Sequence, residues 1–135
     1  MYRQMNITDL MAAIQDRIET GTTLRCYDIP PENEPAPLVF EELVALTPAD
    51  TKTMFCKDYT VYLHIIAEEK RSSVPINSHI QAVQEAMTED ISIPEGFELV
   101  NQTDGGIATI QTDESGEKHA VLVFVFRICY GYKTK

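Results

Sequence analysis

The sequence predicts an α+β domain in which two helices accompany a mostly antiparallel sheet of four to five strands. Two segments have apolar residues at helical spacing, and several others are apolar segments of strand length. Short polar connections between the strand segments favour antiparallel pairing. Since the chain has 135 residues, 44% of them hydrophobic, we expect a single domain over 1–135 with a flexible C-terminal end at 132–135.

The first part of the chain predicts one helix followed by two strands. The helix spans 6–20, and Asn6 or Thr8 can cap it. Its apolar stripe comprises Ile7, Leu10, Met11, Ile14 and Ile18. A short strand at Leu24–Tyr27 leads into "DIPPENEPAP", which contains too many prolines for a helix or a central strand. The segment 38–46 fits a strand or a helix, and its proline-rich flanks favour the strand.

The second part predicts a loop, a strand, a helix and a terminal hairpin. We expect a mobile polar loop at 47–53 before a strand at 54–67. Pro75 suits the first turn of a helix that extends to Thr88. Further strands are predicted at 97–100, 107–112 and 119–130. The sequence Asp104-Gly105-Gly106 indicates a turn between the first two of these strands.

The side chains that carry chemistry form no catalytic or metal-binding pattern. The three histidines are His64, His79 and His119, and none of them has the spacing of a zinc or protease motif. The three cysteines are Cys26, Cys56 and Cys129, which form no CxxC pair and are predicted to be buried thiols. We therefore expect no metal, no cofactor and no enzymatic activity.

The charge distribution argues against binding to nucleic acid. The net charge is −10, and no Lys or Arg occurs between Ser72 and Glu117, a stretch that holds nine acidic residues. Such a field repels phosphates, although an acidic surface also serves solubility. No apolar segment is long enough to span a membrane, and the N-terminus is too polar for a signal peptide. We expect a protein made inside the cell and without membrane contact.

The last predicted strand (119–130) lies in the stretch "HAVLVFVFRICYGY" (119–132) and is apolar on both faces. Its core-facing side cannot be identified from the alternation, because Phe and Leu residues occupy one face and Val residues the other. Two arrangements remain open. The two helices cover opposite faces within one chain, or both cover one face and a neighbouring subunit covers the other. Arg127, inside the strand, favours the second arrangement because a buried guanidinium needs a partner.

In their order and in the types of residue they contain, the elements resemble those of the tail-terminator, or tail-completion, proteins of long-tailed bacteriophages. The resemblance lies in "ITDLMAAIQDRI", "LRCYDI", "PENEPAPLVFEEL", "TPADTKTMFCKDYTVYLHIIA", "PINSHIQAVQEAM" and "VLVFVFRICY". It implies a homohexameric ring in the virion tail that ends the tail tube and joins it to the head-tail connector. The ring would assemble in the bacterial host cytoplasm, DNA would pass through it unbound, and neither catalysis nor a cofactor is implied. The alternative is a small cytoplasmic ligand-binding or regulatory α+β domain.

A ring assigns roles to three groups of residues. The predicted oligomer interface comprises Tyr62, Phe124, Phe126, Arg127 and Ile128. The predicted channel-facing acids, which would keep DNA from adhering, are Glu41, Glu42, Asp50, Glu68 and Glu69. The predicted contact loop for the tube or the connector contains Thr47, Thr51, Lys52 and Thr53. For each acid and each loop residue the competing interpretation is a solvated surface position, and for the interface strand it is coverage by the helices of the same chain.

Overall fold

The computed structural model describes residues 3–68, 72–112 and 116–133. Their elements, in chain order, are α1 (Ile7–Gly21), β1 (Cys26–Tyr27), β2 (Leu38–Pro48), β3 (Met54–Ile66), α2 (Val74–Ala86), β4 (Glu98–Thr112) and β5 (Lys118–Tyr132). The five strands form one sheet in the order β1-β2-β3-β5-β4. Only β1 and β2 pair in parallel, and the other neighbours are antiparallel. The predicted α+β fold is confirmed.

Hydrogen bonds at both ends of helix α1 explain where it begins and ends. The Asn6 side chain accepts a hydrogen bond of 2.8 Å from the Thr8 N–H, which satisfies one of the free donors of the first turn. At the other end, the Thr22 N–H donates to the Ile18 carbonyl at 2.9 Å. The buried side of the helix consists of Leu10, Ala13, Ile14 and Ile18. The predicted helix is confirmed, with its bounds moved by one residue.

The hairpin of β2 and β3 is longer than predicted. Thr47 and Pro48 continue β2 and pair with β3, so the connecting loop is shorter than 47–53. The loop is also held by hydrogen bonds, because the Thr51 Oγ1 accepts from the Met54 N–H at 3.0 Å. The Asp50 carboxylate accepts from the Cys56 N–H at 3.0 Å. The connection is therefore a shorter, hydrogen-bonded turn, and its predicted mobility stays a prediction.

Strand β4 is one strand, whereas the sequence predicted two with a turn between them. Asp104, Gly105 and Gly106 lie inside it, at an irregularity of the pairing with β5. Gly106 adopts a φ of 90°, and its N–H donates to the Asp104 carboxylate at 2.8 Å. A side chain at Gly105 would place its Cβ 3.1 Å from a methyl carbon of Val123. The glycines thus form a β-bulge that bends the strand without ending it.

Both helices cover the same face of the sheet. Their buried residues join one core with alternate residues of the two central strands. The β3 and β5 residues of this core are Tyr59, Val61, Leu63, Ile65, Ala120, Leu122, Phe124, Phe126 and Ile128. The arrangement with one helix on each face is therefore wrong.

The three cysteines are buried and unpaired with one another, as predicted. At the C-terminal end, Tyr132 belongs to β5, and the Lys133 N–H donates to the Thr53 carbonyl at 2.7 Å. The flexibility predicted for the end at 132–135 stays a prediction. Residues 134 and 135 lie outside the described residues.

Candidate functional site

The face of the sheet opposite the helices, here called the open face, carries the candidate site. Strand register places on it Phe40 and Glu42 of β2, Tyr62 and His64 of β3, Val121, Val123, Val125 and Arg127 of β5, and Asn101 and Thr103 of β4. Neither helix packs on this side, because both belong to the core on the other one. Its centre is apolar and its margins are polar and charged, which is the layout of many protein interfaces.

The predicted interface residues divide between the two faces. Phe124, Phe126 and Ile128 lie in the core beneath the helices, where each is at most 1% exposed. They cannot contact a neighbouring subunit in this conformation, so their assignment to the interface is wrong. The physical reason is that their larger side chains fill the space between sheet and helices. Tyr62 and Arg127 lie on the open face and remain candidates.

Arg127 has a partner within its own chain. Its guanidinium binds both oxygens of Asp58, with Nε to Oδ1 at 2.9 Å and Nη2 to Oδ2 at 3.0 Å. The hydrogen bonds to Asp58 and its negative charge raise the pKa of Arg127. Arg127 therefore does not need a partner from a neighbouring subunit, contrary to the prediction, and the pair forms part of the polar margin of the open face.

An aromatic and imidazole cluster occupies one end of the open face. The rings of Phe40 and His64 stack with centroids 4.4 Å apart and an interplanar angle of 4°. The His64 ring nitrogens are 2.9 Å from Nε2 of His119 and 2.8 Å from a carboxylate oxygen of Glu42. Tyr62 meets His64 edge-on at 6.3 Å. These contacts orient the side chains of three strands as one surface.

Glu41 is buried, so its prediction as a channel-facing acid is wrong. It is 2% exposed, and among the described residues no N–H or O–H group donates a hydrogen bond to either carboxylate oxygen. Burial is the main cause that raises its pKa, from an ordinary 4.5 to about 8, and the charge of Asp28 adds to it. The neighbouring Cys26 thiol acts in the opposite direction, while the charge of Glu19 adds to the increase. The Cys26 pKa is itself raised, again mainly by burial.

The other predicted channel acids do not form one surface patch. Glu42 is exposed but faces His64, and Glu68 binds Nε2 of His79 at 2.9 Å. Asp50 lies at the tip of the β2–β3 hairpin, whereas Glu68 follows the opposite end of β3. The 13 residues of β3 separate these two acids by about 40 Å at the usual rise of a strand. Glu69 lies outside the described residues.

The hairpin tip holds the predicted contact loop. Thr47 lies in β2, and Thr51 braces the turn through its hydroxyl. Lys52 and Thr53 are exposed. The tip therefore presents Lys52 and Thr53 outward on a hydrogen-bonded turn.

A pocket that the sequence did not reveal lies beside the outer edge of β2. Its volume is about 380 Å³, and it is lined by Met11, Asp28, Ile29, Pro30, Phe40, Glu41, Glu42, Leu43 and His64. Alternation along β2 could have indicated that a carboxylate of this pocket is buried. Glu41 shares its face with Val39, whose side chain is fully buried.

Neither a metal centre nor a membrane span is found in the described ranges. No group of three or more His, Cys, Asp or Glu side chains in residues 3–68, 72–112 and 116–133 could hold a metal ion. Over the same ranges, no helix has the length and hydropathy needed to cross a bilayer.

Comparison with known proteins places this architecture in a family. A family model described as "Putative tail termination protein", of the phage tail terminator type, matches residues 1–135. The chain belongs to this phage tail terminator family. The resemblance inferred from the sequence is thereby confirmed.

A solved structure shows the same fold at low sequence identity. A chain from the virion of a native gene transfer agent particle superposes with a TM-score of 0.73 at 18% identity. The match covers 91% of the present chain and 96% of that chain. Among curated proteins, no sequence matched this one. Membership of the tail terminator family supports a structural, non-enzymatic role in a phage tail.

Proposed function

We propose that this tail terminator family member forms a ring of identical subunits that ends the tail tube and joins it to the head-tail connector. The open face carries the proposal, because neither helix packs on it and its central valines, Val123 and Val125, remain partly exposed. In a ring, the neighbouring subunit covers it. The chain then acts as a structural component of the virion tail and is assembled in the host cytoplasm.

The composition of the open face supports an interface between subunits. Val123 and Val125 lie at its centre and are only partly buried. Tyr62 is opposite Val123, and amphipathic aromatic residues of this kind are enriched at interfaces. Complete burial of a valine side chain contributes about 1.5–3 kcal/mol before ordering costs. The Arg127–Asp58 pair at the margin adds geometric specificity.

The exposed acids and the hairpin tip take the remaining roles, which are to face the channel and to contact a partner protein. The exposed acids of the predicted set include Glu42 and Asp50. An acid of this kind that faces the channel repels DNA within a Debye length of about 8 Å, so DNA slides through without specific binding. The hairpin tip, with Lys52 and Thr53 outward, is the contact for the tube or the connector. Because Asp50 and Glu68 are far apart, at most one of them lines the narrowest part of the channel.

Substitution of Val125 by Glu tests the ring. We expect the wild-type chain to form a concentration-dependent ring in sedimentation velocity experiments and in negative-stain images. Val125→Glu places a charge at the centre of the open face, so it should remain monomeric with an unchanged circular dichroism spectrum. Val74→Glu is the matched control, because Val74 is an exposed valine at the start of α2, on the helix side of the sheet.

Two results would contradict the proposal. One is assembly of Val125→Glu at the wild-type concentration. The other is a wild-type chain that stays monomeric in solution and also fails to cap purified tail tubes.

A further inference from the structure

We propose that the pocket beside β2 binds an arginine or lysine side chain on an extended segment of a different protein of the particle. The inference extends the proposed function by stating the chemistry of one contacting partner. It is tested on the isolated chain, so that it can fail while the ring proposal stands.

The walls of the pocket match the two parts of a long basic side chain. Met11, Ile29, Pro30, Phe40 and Leu43 provide apolar surface for the methylene stem. Ile29 is 68% exposed, so one wall of the pocket is open to a partner. Asp28, Glu41 and Glu42 provide carboxylates for the charged end. No Lys or Arg is among the residues that line the pocket.

The buried Glu41 carboxylate indicates an unfilled interaction. Its hydrogen-bonding neighbour is the Cys26 thiol, which is only a weak donor. A buried carboxylate with no stronger donor is costly, and natural proteins rarely leave such a group in that state. The ionisable groups around it are Asp28 and Glu19 on neighbouring segments, the Cys26 thiol of β1, and Glu42 and His64 at the pocket itself. The acidic groups of this set outnumber His64, the one side chain that can carry positive charge. A guanidinium or ammonium group would supply the missing donors and the opposite charge.

The strand edge next to the pocket is free to align an extended segment. β1 ends at Tyr27, opposite Phe40, so β2 from Glu41 onward has no strand on its outer side within the described part of the chain. An extended peptide can add to such an edge, with its side chains alternating between solvent and the pocket. Backbone pairing and insertion of one basic side chain then occur together.

Charge complementarity selects a different protein over a second copy of this chain. The chain carries −10, and its copies repel one another at long range. Several of its own bases are already engaged, since Arg17 binds Glu89 and Arg127 binds Asp58. Lys133 lies within 4.0 Å of Asp50. A more basic component of the particle is therefore the better source of the side chain.

A synthetic peptide tests the proposal. The probe is acetyl-Thr-Val-Arg-Val-Thr-amide, and the control peptide has citrulline, which is uncharged and of similar shape, at the central position. We expect calorimetry on the full chain to show at least tenfold tighter binding of the arginine peptide. Its affinity should rise by about tenfold from pH 6.5 to 8.5, because the cation competes with the proton on Glu41.

Three variants make the result specific. Glu41→Gln should abolish the pH dependence and most of the preference for arginine, whereas Glu98→Gln removes an exposed carboxylate of β4 and should bind as wild type does. The non-assembling Val125→Glu variant should also bind, which separates the pocket from the ring. Equal affinity for the two peptides, or no saturable binding of either, would overturn the proposal. Dissociation of wild-type assemblies by the arginine peptide alone would assign the pocket to a second copy and overturn the choice of partner.

Discussion

At the scale of single residues, Glu41 makes stability depend on pH. Its pKa is raised in the folded chain to about 8, so the folded state keeps a proton that the unfolded state releases above about pH 4.5. Glu41 therefore makes its full stabilising contribution to the free energy of unfolding below about pH 4.5. This contribution is lost as the pH rises towards 8. Each unit of pKa difference corresponds to about 1.4 kcal/mol, so the loss amounts to several kcal/mol.

Glu41→Gln should remove this pH dependence, because glutamine keeps the shape of the side chain without an ionisable group. We expect urea unfolding at pH 5 and pH 8 to show a smaller difference in the free energy of unfolding for Glu41→Gln than for wild type. At pH 8 the variant should be more stable than wild type. Glu98→Gln serves as the control and should retain the wild-type difference. A Glu41→Gln variant with the wild-type difference would show that Glu41 is not the source.

The position of Glu41 shows how far the sequence determines single residues. Alternation along β2 identifies Glu41 and Val39 as neighbours on one face, but it does not say which face is covered. That information comes from β5, whose larger side chains, Phe124 and Phe126, lie under the helices, while its valines face outward. Because both sets are apolar, hydropathy alone could not separate core from interface, and the interface prediction failed at these positions.

At the scale of elements, Gly21 allows the ends of the two helices to approach closely. A Cβ at Gly21 would lie 2.7 Å from the Ala86 Cβ and 2.9 Å from Nη2 of Arg17. In an isolated helix, alanine is favoured over glycine by about 1 kcal/mol. The contact with Ala86 reverses that preference, because one helix must move away from the other to accept a methyl group.

Gly21→Ala should therefore lower the free energy of unfolding by about 1–3 kcal/mol, which is typical of overpacking. Thermal unfolding followed by circular dichroism measures the loss. Thr20→Ala, at the exposed preceding position of α1, is the control and should be neutral or slightly stabilising. Stabilisation by Gly21→Ala would mean that α1 and α2 are not closely packed at this point.

The sequence predicted best the elements that have regularly spaced apolar residues and recognisable residues at their ends. α1 and α2 have apolar stripes with capping residues or proline at their starts, and both were placed within two residues. β4 was divided in error because Asp104-Gly105-Gly106 has the composition of a turn. A β-bulge uses the same residues, and only the long partner strand β5, which continues past the glycines, distinguishes the two structures.

At the scale of the whole molecule, a net charge of −10 opposes the association of copies that the open face favours. The apolar centre of that face attracts another copy only over short distances. The repulsion between acidic surfaces extends over roughly a Debye length, which decreases from about 10 Å at 0.1 M salt to about 3 Å at 1 M. The balance between the two should therefore shift towards assembly as salt is added.

We expect the weight-average mass of wild-type chain in sedimentation equilibrium experiments to rise between 50 mM and 500 mM sodium chloride at fixed protein concentration. Binding of the arginine peptide to the pocket should weaken over the same range, because salt screens attraction as well as repulsion. Val125→Glu should stay monomeric at both salt concentrations, which shows that the gain depends on the open face and not on general precipitation. Assembly that weakens with salt would instead indicate that ion pairs between subunits, for example ones formed by exposed charges around Arg127, hold the subunits together. The apolar centre of the open face would then not be the main contact.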